Sequence, residues 1–329
     1  MAAVDKFRGT ATAAEVAAAI GHACWEAGHD CIEIPLADGG EGLLDVLGGP
    51  NRRSVVTGPL GEPVEAAWRL HRDTATIEMA LASGLVLAGG AEGNDPMEAT
   101  TRGTGELIDA ALTAGAKRII VGLGGSATTD GGLGALRAIR SPARLRGVEL
   151  LVACDVTTRF TDAARVFGPQ KGATPAQVRM LTGRLERLAG EYRDQYGIDV
   201  DAIEGSGAAG GIAGALAALG GRLLPGFELV ADELGLHDAL EVADLVITGE
   251  GHLDRQSFEG KVVGGVALLA EEYDVGVAVV VGVADDDVRD RLPTWVLAER
   301  FGLDRAMREP LNCVEEIVGE LLAERTPDR

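Results

Sequence analysis

Residues 119–132 read IIVGLGGSATTDGG, and this stretch joins a predicted strand to a loop of small residues. Arg118–Val121 is a β-branched run typical of a buried strand, and an apolar helical pattern begins at Leu133. Backbone N–H groups of a glycine-rich loop that enters a helix can surround an anion, and the helix N-terminus adds partial positive charge. The stretch therefore predicts an anion site, with a tight turn that binds nothing as the alternative. The candidate ligand groups are the backbone of Gly124 and Gly125 and the hydroxyls of Ser126 and Thr128.

The composition restricts the classes of partner. The chain has 329 residues, 46% of them apolar and 4% aromatic, which suits one large domain or two smaller ones packed from small aliphatic side chains. Its net charge of −21 repels nucleic acid and anionic membranes, so we expect neither as a partner. The sequence shows no membrane-spanning run and no CxxC spacing among its four cysteines, and we expect no leader segment. We therefore predict a cytoplasmic protein with reduced thiols.

Capping boxes and apolar runs along the chain predict alternating helices and strands. Boxes at Thr12 and Thr174 each open a helix. Short strands followed by small-residue loops indicate parallel α/β layers at both chain ends, and 292–329 is expected to hold a last strand and a closing helix. Residues 64–70 and 74–79 alternate across a turn and predict an antiparallel hairpin, which places the first candidate domain boundary near residue 58.

Four loops share glycine, serine or acidic residues at strand ends or helix starts. They span residues 37–42, 122–132, 205–211 and 249–261. The acids of these loops, with one more acid after the strand predicted at 148–154, are Asp38, Glu41, Asp130, Asp155, Glu250 and Asp254. Together they predict a site for a phosphorylated ligand and Mg²⁺, because carboxylates hold the metal and one can take a proton from an acceptor hydroxyl. For any single acid, the alternative is a solvated or capping carboxylate.

Lysine is scarce in this chain. Of 30 basic residues, 26 are arginine, and the lysines are Lys6, Lys117, Lys171 and Lys261. Lys117 precedes a strand, whereas the other three lie in polar or glycine-rich segments. A compact ammonium can follow a phosphoryl group as its charge shifts, so Lys171 and Lys261 are candidates for stabilising that charge.

Seven segments, in order over nearly the whole chain, resemble motifs of the type I glycerate kinase family. They are DKFRG (5–9), PLADGGEG (35–42), GLGGSATTDGG (122–132), ACDV (153–156), VFGPQKGA (166–173), GSGAAGG (205–211) and ADLVITGEGHLDRQSFEGK (243–261). The resemblance implies transfer of the γ-phosphoryl group of ATP to D-glycerate, giving 2-phosphoglycerate, with Mg²⁺. It also implies a two-domain α/β fold with the active site in the cleft. A Rossmann-like parallel domain is built from both chain ends (1–57 and 244–329), and a mixed α/β domain is inserted (58–243).

On these motifs the candidate site residues fall into three groups. Catalytic roles are expected for Asp38, Asp155, Lys171 and Lys261. Nucleotide contacts are expected for Gly124, Gly125, Ser126, Thr128, Gly207 and Gly210. Metal ligation is expected for Asp130, Glu250 and Asp254. Which carboxylate acts as the base, which one binds metal and the oligomeric state stay open at this point.

The chain departs from the family pattern in places that border the expected site. Only Met1–Val4 precede the DKFRG motif, where the family has an apolar strand, so we expect that strand to be largely missing. Thr129 stands where asparagine is usual, Thr157–Phe160 replaces the usual TNPL, and the segment after Gly132 is shorter. Two alternatives therefore remain: a kinase for another small hydroxy acid, and a non-catalytic relative that binds nucleotide or hydroxy acid.

Overall fold

The structure, a computed structural model, describes residues 1–325, and in this range the chain forms eleven strands and fifteen α-helices. The strands are β1 (Ala2–Val4), β2 (Glu33–Pro35), β3 (Arg52–Thr57), β4 (Pro63–His71), β5 (Thr74–Glu78), β6 (Arg118–Gly122), β7 (Glu149–Ala153), β8 (Arg222–Leu224), β9 (Leu245–Leu253), β10 (Gly276–Ala284) and β11 (Thr294–Val296). The helices are α1 (Ala13–Glu26), α2 (Leu43–Val46), α3 (Ala80–Ser83), α4 (Gly90–Gly93), α5 (Arg102–Thr113), α6 (Leu133–Ala138), α7 (Ala163–Phe167), α8 (Pro175–Tyr196), α9 (Ala208–Ala218), α10 (Gly226–Leu234), α11 (Leu236–Leu240), α12 (Val262–Glu272), α13 (Leu297–Phe301), α14 (Leu303–Arg308) and α15 (Pro310–Arg325). Short 3-10 helices span Pro142–Gly147, Pro169–Lys171, Val200–Ala202 and Arg255–Phe258. Within the described range, no helix has the length and apolar character needed to cross a membrane.

The first compact unit comprises Met1–Asp38 and the chain from Phe227 onward. Its sheet has the strand order β11-β10-β9-β1-β2, and all of its paired strands are parallel. Side chains of α1 and α15 pack with Ala278 and Val280, whereas α12 packs with Val279 and Val281. Because alternate residues of a strand point to opposite faces, helices cover both faces of this sheet. The unit is thus Rossmann-like, as predicted.

The strand order of this sheet reverses between β1 and β9. The chain passes from β1 through α1 to β2 on one side, and from β9 through α12 to β10 on the other. In doubly wound sheets, ligands bind outside the carboxyl ends of the strands at such a switch point. The ends of β1 and β9 are therefore where a site is expected in this unit.

The second unit, Gly39–Gly226, holds a six-stranded mixed sheet. Its order is β3-β4-β5-β6-β7-β8, with antiparallel pairing from β3 to β5 and parallel pairing from β5 to β8. The predicted hairpin is β4–β5. Aliphatic side chains of β5, β6, β7, α5 and α9 share one core, and a second cluster around α8 contains Phe160 and Tyr192. The two units confirm the predicted fold class.

The units divide the chain after Asp38 and after Gly226, whereas the sequence placed the divisions at 57/58 and 243/244. Strand β3 lies in the second unit because it pairs with β4 along its whole length. Phe227 lies in the first unit, where its ring lies so close to Gly265 that a Cβ there would be 2.3 Å away.

The predicted helix caps and the last elements of the chain are present, whereas the prediction about the first strand is wrong. Both capping boxes are present, at Thr12 and Thr174. The expectation of a largely missing first strand is wrong, because Ala2–Val4 forms a fully buried strand between β2 and β9. The expected last strand and closing helix are β11 and α15, and residues 326–329 of that segment lie outside the described residues.

The loop predicted at 249–261 begins later than expected. Strand β9 continues through Gly249 to Leu253, because β10 pairs with it in parallel as far as Ala284. Glu250 therefore lies on a strand, and only the residues from Asp254 onward form the turn that leads to α12.

Candidate active site

Two acidic residues lie at the switch point of the first unit, on the neighbouring chain segments that carry β1 and β9. Asp5 follows β1, and its amide nitrogen donates to the carbonyl oxygen of Gly249 on β9 at 2.9 Å. Glu250 is the next residue of β9, and its carboxyl group interacts with that of Asp5. Asp38, which comes after β2, adds further negative charge near Asp5. The structure thus brings the predicted Asp38 and Glu250 to one edge, together with Asp5, which was not among the predicted residues.

Burial controls the charge of this group. Burial raises the pKa of Glu250 to about 7, and the negative charges of Asp5 and Asp254 add to the rise. A hydrogen bond with Ser257 and the ammonium of Lys261 oppose it. Burial also raises the pKa of Asp5 to about 6. The ammonium of Lys6 lies 3.7 Å from Asp5 Oδ1 and lowers the pKa of Asp5, yet the pKa of both carboxyl groups stays raised, which indicates negative charge that the protein's own cations compensate only in part.

One carboxylate oxygen of Glu250 shows where this compensation is incomplete. Its Oε1 is buried and has no hydrogen-bond partner among the described residues. An unpartnered carboxylate oxygen beside a second carboxylate suits a hard divalent cation. The described residues contain no group of three or more His, Cys, Asp or Glu side chains arranged to hold a metal ion. Mg²⁺ commonly binds through one or two carboxylates, with phosphate oxygens and water as its other ligands.

Two other predicted residues lie at helix starts of the same unit. Asp254 caps the short 3-10 helix, where its Oδ1 accepts a hydrogen bond from the amide of Ser257 at 3.1 Å. Lys261 is the half-buried residue that precedes α12. Its positive charge favours the ionised form of Glu250. Asp254 therefore has a capping role in this structure, and its role as a metal ligand stays a prediction.

In the second unit, glycine segments meet at the carboxyl ends of β6 and β7. We call residues 122–132 the central loop. A Cβ on Gly124 would lie 2.7 Å from the Cα of Gly40, and a Cβ on Gly39 would lie 2.7 Å from the Cβ of Ala153. Glycine is needed at these positions because the backbones approach so closely. The contacts bring three of the sequence motifs to one edge of the sheet.

Asp155 lies at this edge. It follows β7, is exposed, and accepts a 2.6 Å hydrogen bond on Oδ1 from the amide of Gly226. Gly226 follows β8, the neighbouring parallel strand. The contact fixes the orientation of a carboxylate that stays accessible to solvent, which is what a proton acceptor in a site requires.

The central loop has an accessible half and a buried half. Gly124 is half-buried and Gly125 is exposed, whereas residues 126–130 are all buried. The hydroxyl of Thr128 lies 3.4 Å from the carbonyl oxygen of Ala209. The backbone of the central loop is therefore accessible to solvent at Gly124 and Gly125, whereas the Thr128 hydroxyl faces protein atoms.

Asp130, a predicted metal ligand, is occupied by protein donors. Its Oδ2 accepts from the amide of Thr101 at 2.9 Å, from the hydroxyl of Thr101 at 2.9 Å and from the amide of Gly134 at 3.1 Å. Its Oδ1 accepts from the amide of Gly132 at 3.0 Å. These bonds hold the start of α6 against the start of α5. The role of Asp130 as a metal ligand stays a prediction.

Lys171 is buried against the same loop. Its ammonium donates to the hydroxyl of Ser126 at 2.9 Å and to the carbonyl oxygen of Thr128 at 2.7 Å. Burial lowers the pKa of Lys171 to about 7, and the nearby charge of Asp130 raises it in part. The structure thus places Lys171, Ser126, Thr128 and Asp130 in one network.

The predicted nucleotide contacts Gly207 and Gly210 lie inside the unit. A Cβ on Gly207 would lie 2.2 Å from the carbonyl oxygen of Arg159, and a Cβ on Gly210 would lie 2.0 Å from that of Thr128. Residues 209–211 all adopt left-handed backbone angles before α9 continues. In this structure both glycines permit backbone packing against neighbouring segments, and their contact with nucleotide stays a prediction.

Comparison with known proteins identifies the family. A family model described as "Glycerate kinase family" matches residues 1–141 and 139–317. The chain belongs to the glycerate kinase family. It is 41% identical over 326 residues to Glycerate 2-kinase of Escherichia coli (strain K12), covering 87% of this chain and 85% of that protein. It is 41% identical over 328 residues to Glycerate kinase of Bacillus subtilis (strain 168), covering 88% and 85%. A crystal structure of a protein assigned as glycerate kinase 2 from Salmonella typhimurium LT2 has a TM-score of 0.82 and 35% identity, with 99% of both chains covered. The predicted family and the prediction of a kinase enzyme are confirmed.

In this member of the glycerate kinase family, Glu78 contacts a predicted site motif although it was not among the predicted site residues. It ends β5, is buried, and accepts hydrogen bonds from the amides of Gly42 at 3.1 Å and Leu44 at 2.7 Å. Burial raises its pKa. Glu78 therefore holds the end of the 37–42 motif and the start of α2. The available signal in the sequence was a single acid at the end of a strand that carries no other charged residue.

Asn94 and Tyr192 also contact the central loop and were not among the predicted site residues. The Asn94 side-chain amide donates to the carbonyl oxygens of Ala127 and Lys171, and the Tyr192 hydroxyl donates to that of Gly131. Their partners are 33 to 77 residues away in the chain. No local pattern reports contacts of this kind.

Proposed function

We propose that the chain transfers the γ-phosphoryl group of ATP to the 2-hydroxyl of D-glycerate, giving 2-phosphoglycerate and ADP, with Mg²⁺ as cofactor. The observation that carries the proposal is the 41% identity to a Glycerate 2-kinase across 87% of the chain. The hydroxyl oxygen forms the new O–P bond, the bond to ADP breaks, and the hydroxyl proton passes to a carboxylate. The wholly parallel sheet of the first unit, with acids at its switch point, supports a ligand site there.

Glu250 and Asp5 are the residues proposed to hold Mg²⁺. The buried Oε1 of Glu250 lacks a partner among the described residues, and both carboxyl groups have raised pKa values. Mg²⁺ bound to them would supply positive charge to phosphate oxygens. Lys261 adds a positive charge close to Glu250, so it is proposed to balance charge in the same place.

In the second unit, the amides of Gly124 and Gly125 are proposed to bind phosphate oxygens. Their backbone is the accessible part of the central loop. Asp155 is exposed and oriented by Gly226, whereas Asp38 is half-buried near Asp5. Either carboxylate can accept the hydroxyl proton.

The proposed partners are small molecules, D-glycerate and ATP. The net charge of −21 supports the expectation that nucleic acid and anionic membranes are not partners. The cytoplasmic location stays a prediction.

The test uses the purified chain with ATP, Mg²⁺ and D-glycerate. Coupled detection of ADP reports turnover, and phosphorus NMR of the product distinguishes the 2-phosphate from the 3-phosphate. A 3-phosphate product, or no product from a folded sample, would overturn the proposal. ADP release with another 2-hydroxy acid alone would support a different acceptor, and ATP binding without turnover would support a non-catalytic relative.

A further inference from the structure

Three consecutive residues of the central loop are held by two side chains from separate elements. The ammonium of Lys171 donates to the hydroxyl oxygen of Ser126 at 2.9 Å and to the carbonyl oxygen of Thr128 at 2.7 Å. The side-chain amide of Asn94 donates to the carbonyl oxygen of Ala127 at 3.0 Å and to that of Lys171 at 2.9 Å. We call Lys171 and Asn94 the loop clasp.

Backbone contacts hold the loop from a second segment. Ser126 forms an antiparallel bridge with Gly84, and the amide of Leu85 donates to the carbonyl oxygen of Gly125 at 2.8 Å. The loop is thus fixed by both the clasp and the 84–85 segment. The direction of the N–H groups at its accessible glycines depends on both sets of contacts.

The surroundings of Lys171 define how it can act. The residue is 2% exposed, and its ammonium donates hydrogen bonds to two oxygen atoms of the loop. An ammonium has no acceptor lone pair, so the Ser126 oxygen accepts from Lys171. The Ser126 hydrogen therefore points away from Lys171 and can serve another acceptor.

We propose that Lys171 and Asn94 are positioning residues, which fix the central loop so that the backbone N–H groups of Gly124 and Gly125 face the phosphates of ATP. The inference rests on the proposed function, because it takes ATP as the ligand of this loop. It replaces a catalytic role in which the ammonium touches the transferred phosphoryl group. Asn94 separates the two roles, since it is uncharged and touches only the loop and the backbone of Lys171 in this network.

The test compares Lys171→Met, Asn94→Leu and the double variant in calorimetric binding of MgATP. Misplacing the loop should weaken MgATP binding by about tenfold or more in each single variant. The double variant should be no weaker than the more severe single variant, because both remove the same constraint. The exposed residues Lys117 and Asn51 of the same unit provide matched controls. Lys117→Met and Asn51→Leu should keep the affinity within about twofold.

Amide hydrogen exchange over residues 122–130 gives a readout that needs no turnover, and it should be faster in both single variants than in the parent. A loss of about 10²–10³ in kcat for Lys171→Met, with Asn94→Leu like the parent, would show direct phosphoryl contact and overturn the inference. Unchanged MgATP affinity in folded variants would overturn it too. If Asn94→Leu does not fold, the smaller Asn94→Ala takes its place. Weakened MgATP binding in a chain that does not phosphorylate D-glycerate would leave the clasp standing and reject only the acceptor.

Discussion

The hydroxyl of Tyr192 donates a 2.8 Å hydrogen bond to the backbone carbonyl oxygen of Gly131, which ties helix α8 to the central loop. Gly131 adopts a left-handed conformation with φ 66°. A Cβ there would lie 2.7 Å from Leu188 of the same helix. Glycine at 131 therefore suits both the left-handed backbone and the close packing of the helix against the loop, and the phenol fixes their relative position.

Tyr192→Phe should lower the free energy of unfolding by about 1–3 kcal/mol, because it removes the donor of a buried carbonyl group. Denaturant unfolding measures this change. Tyr196→Phe, on the same helix and half-buried, is the control and should change stability by less than about 0.5 kcal/mol. Equal losses in the two variants would contradict a specific role for the Tyr192 hydroxyl.

Two fully buried threonines near the central loop differ in how their hydroxyls are satisfied. Thr101 Oγ1 donates to Asp130 and accepts from the amide of Ala135 at 3.0 Å. Thr129 Oγ1 has no partner among the described residues. Thr101→Val should therefore lower the free energy of unfolding by about 1–3 kcal/mol, whereas Thr129→Val should leave it unchanged or raise it by up to about 1 kcal/mol. Denaturant unfolding of the pair decides this, and similar losses in both variants would refute it.

Local rules predicted much of the secondary structure. A capping box needs only four consecutive residues, so the boxes at Thr12 and Thr174 were recognisable in the sequence, and both threonines cap their helices as expected. The β4–β5 hairpin followed from alternation across a short turn. Where hydrogen bonds come from distant residues, the predictions differ from the structure. Strand β9 continues past Gly249 because β10 supplies its partners.

The candidate site divides in the same way. Its location at strand ends was predictable, because parallel strands bring their carboxyl ends to one edge. The direction of each side chain was not. Ser126 and Asp130 face Lys171 and Thr101, and those partners are distant in sequence. A glycine-rich motif alone cannot distinguish a residue that contacts a ligand from one that permits close packing, as Gly210 does.

Asp38→Asn and Asp155→Asn separate the two candidate proton acceptors. Substitution of the residue that takes the hydroxyl proton should lower kcat by about 10²–10⁴-fold, because the amide cannot accept that proton. Melting temperatures should stay within a few degrees of the parent, since asparagine keeps the shape. Asp194→Asn, on the exposed surface of α8, is the control. Unimpaired turnover in both site variants would show that neither carboxylate is the base.

The half-buried Glu250 makes the free energy of unfolding depend on pH in a defined direction. Its folded pKa of about 7 lies above the ordinary value of 4.5, so the folded state holds this proton more tightly than the unfolded state. The resulting stabilisation is fully present below pH 4.5 and is lost as pH rises through 7. Glu250→Gln removes the titration. The variant should therefore gain stability relative to the parent as pH rises from 5 to 8, by on the order of 1–3 kcal/mol.

Thermal unfolding at several pH values, with and without Mg²⁺, measures the effect of Glu250→Gln. The exposed Glu272 on α12 gives the matched control, and Glu272→Gln should follow the parent at every pH. At pH 8 Mg²⁺ should raise the melting temperature of the parent, because a cation bound to the folded state neutralises the carboxylates of Asp5 and Glu250. It should raise that of Glu250→Gln less, since one of the two proposed ligands has lost its charge. A stability difference between parent and variant that does not change with pH would show that Glu250 is not the titrating group. If Mg²⁺ raises the melting temperatures of the two proteins equally, Glu250 is not a ligand of the metal.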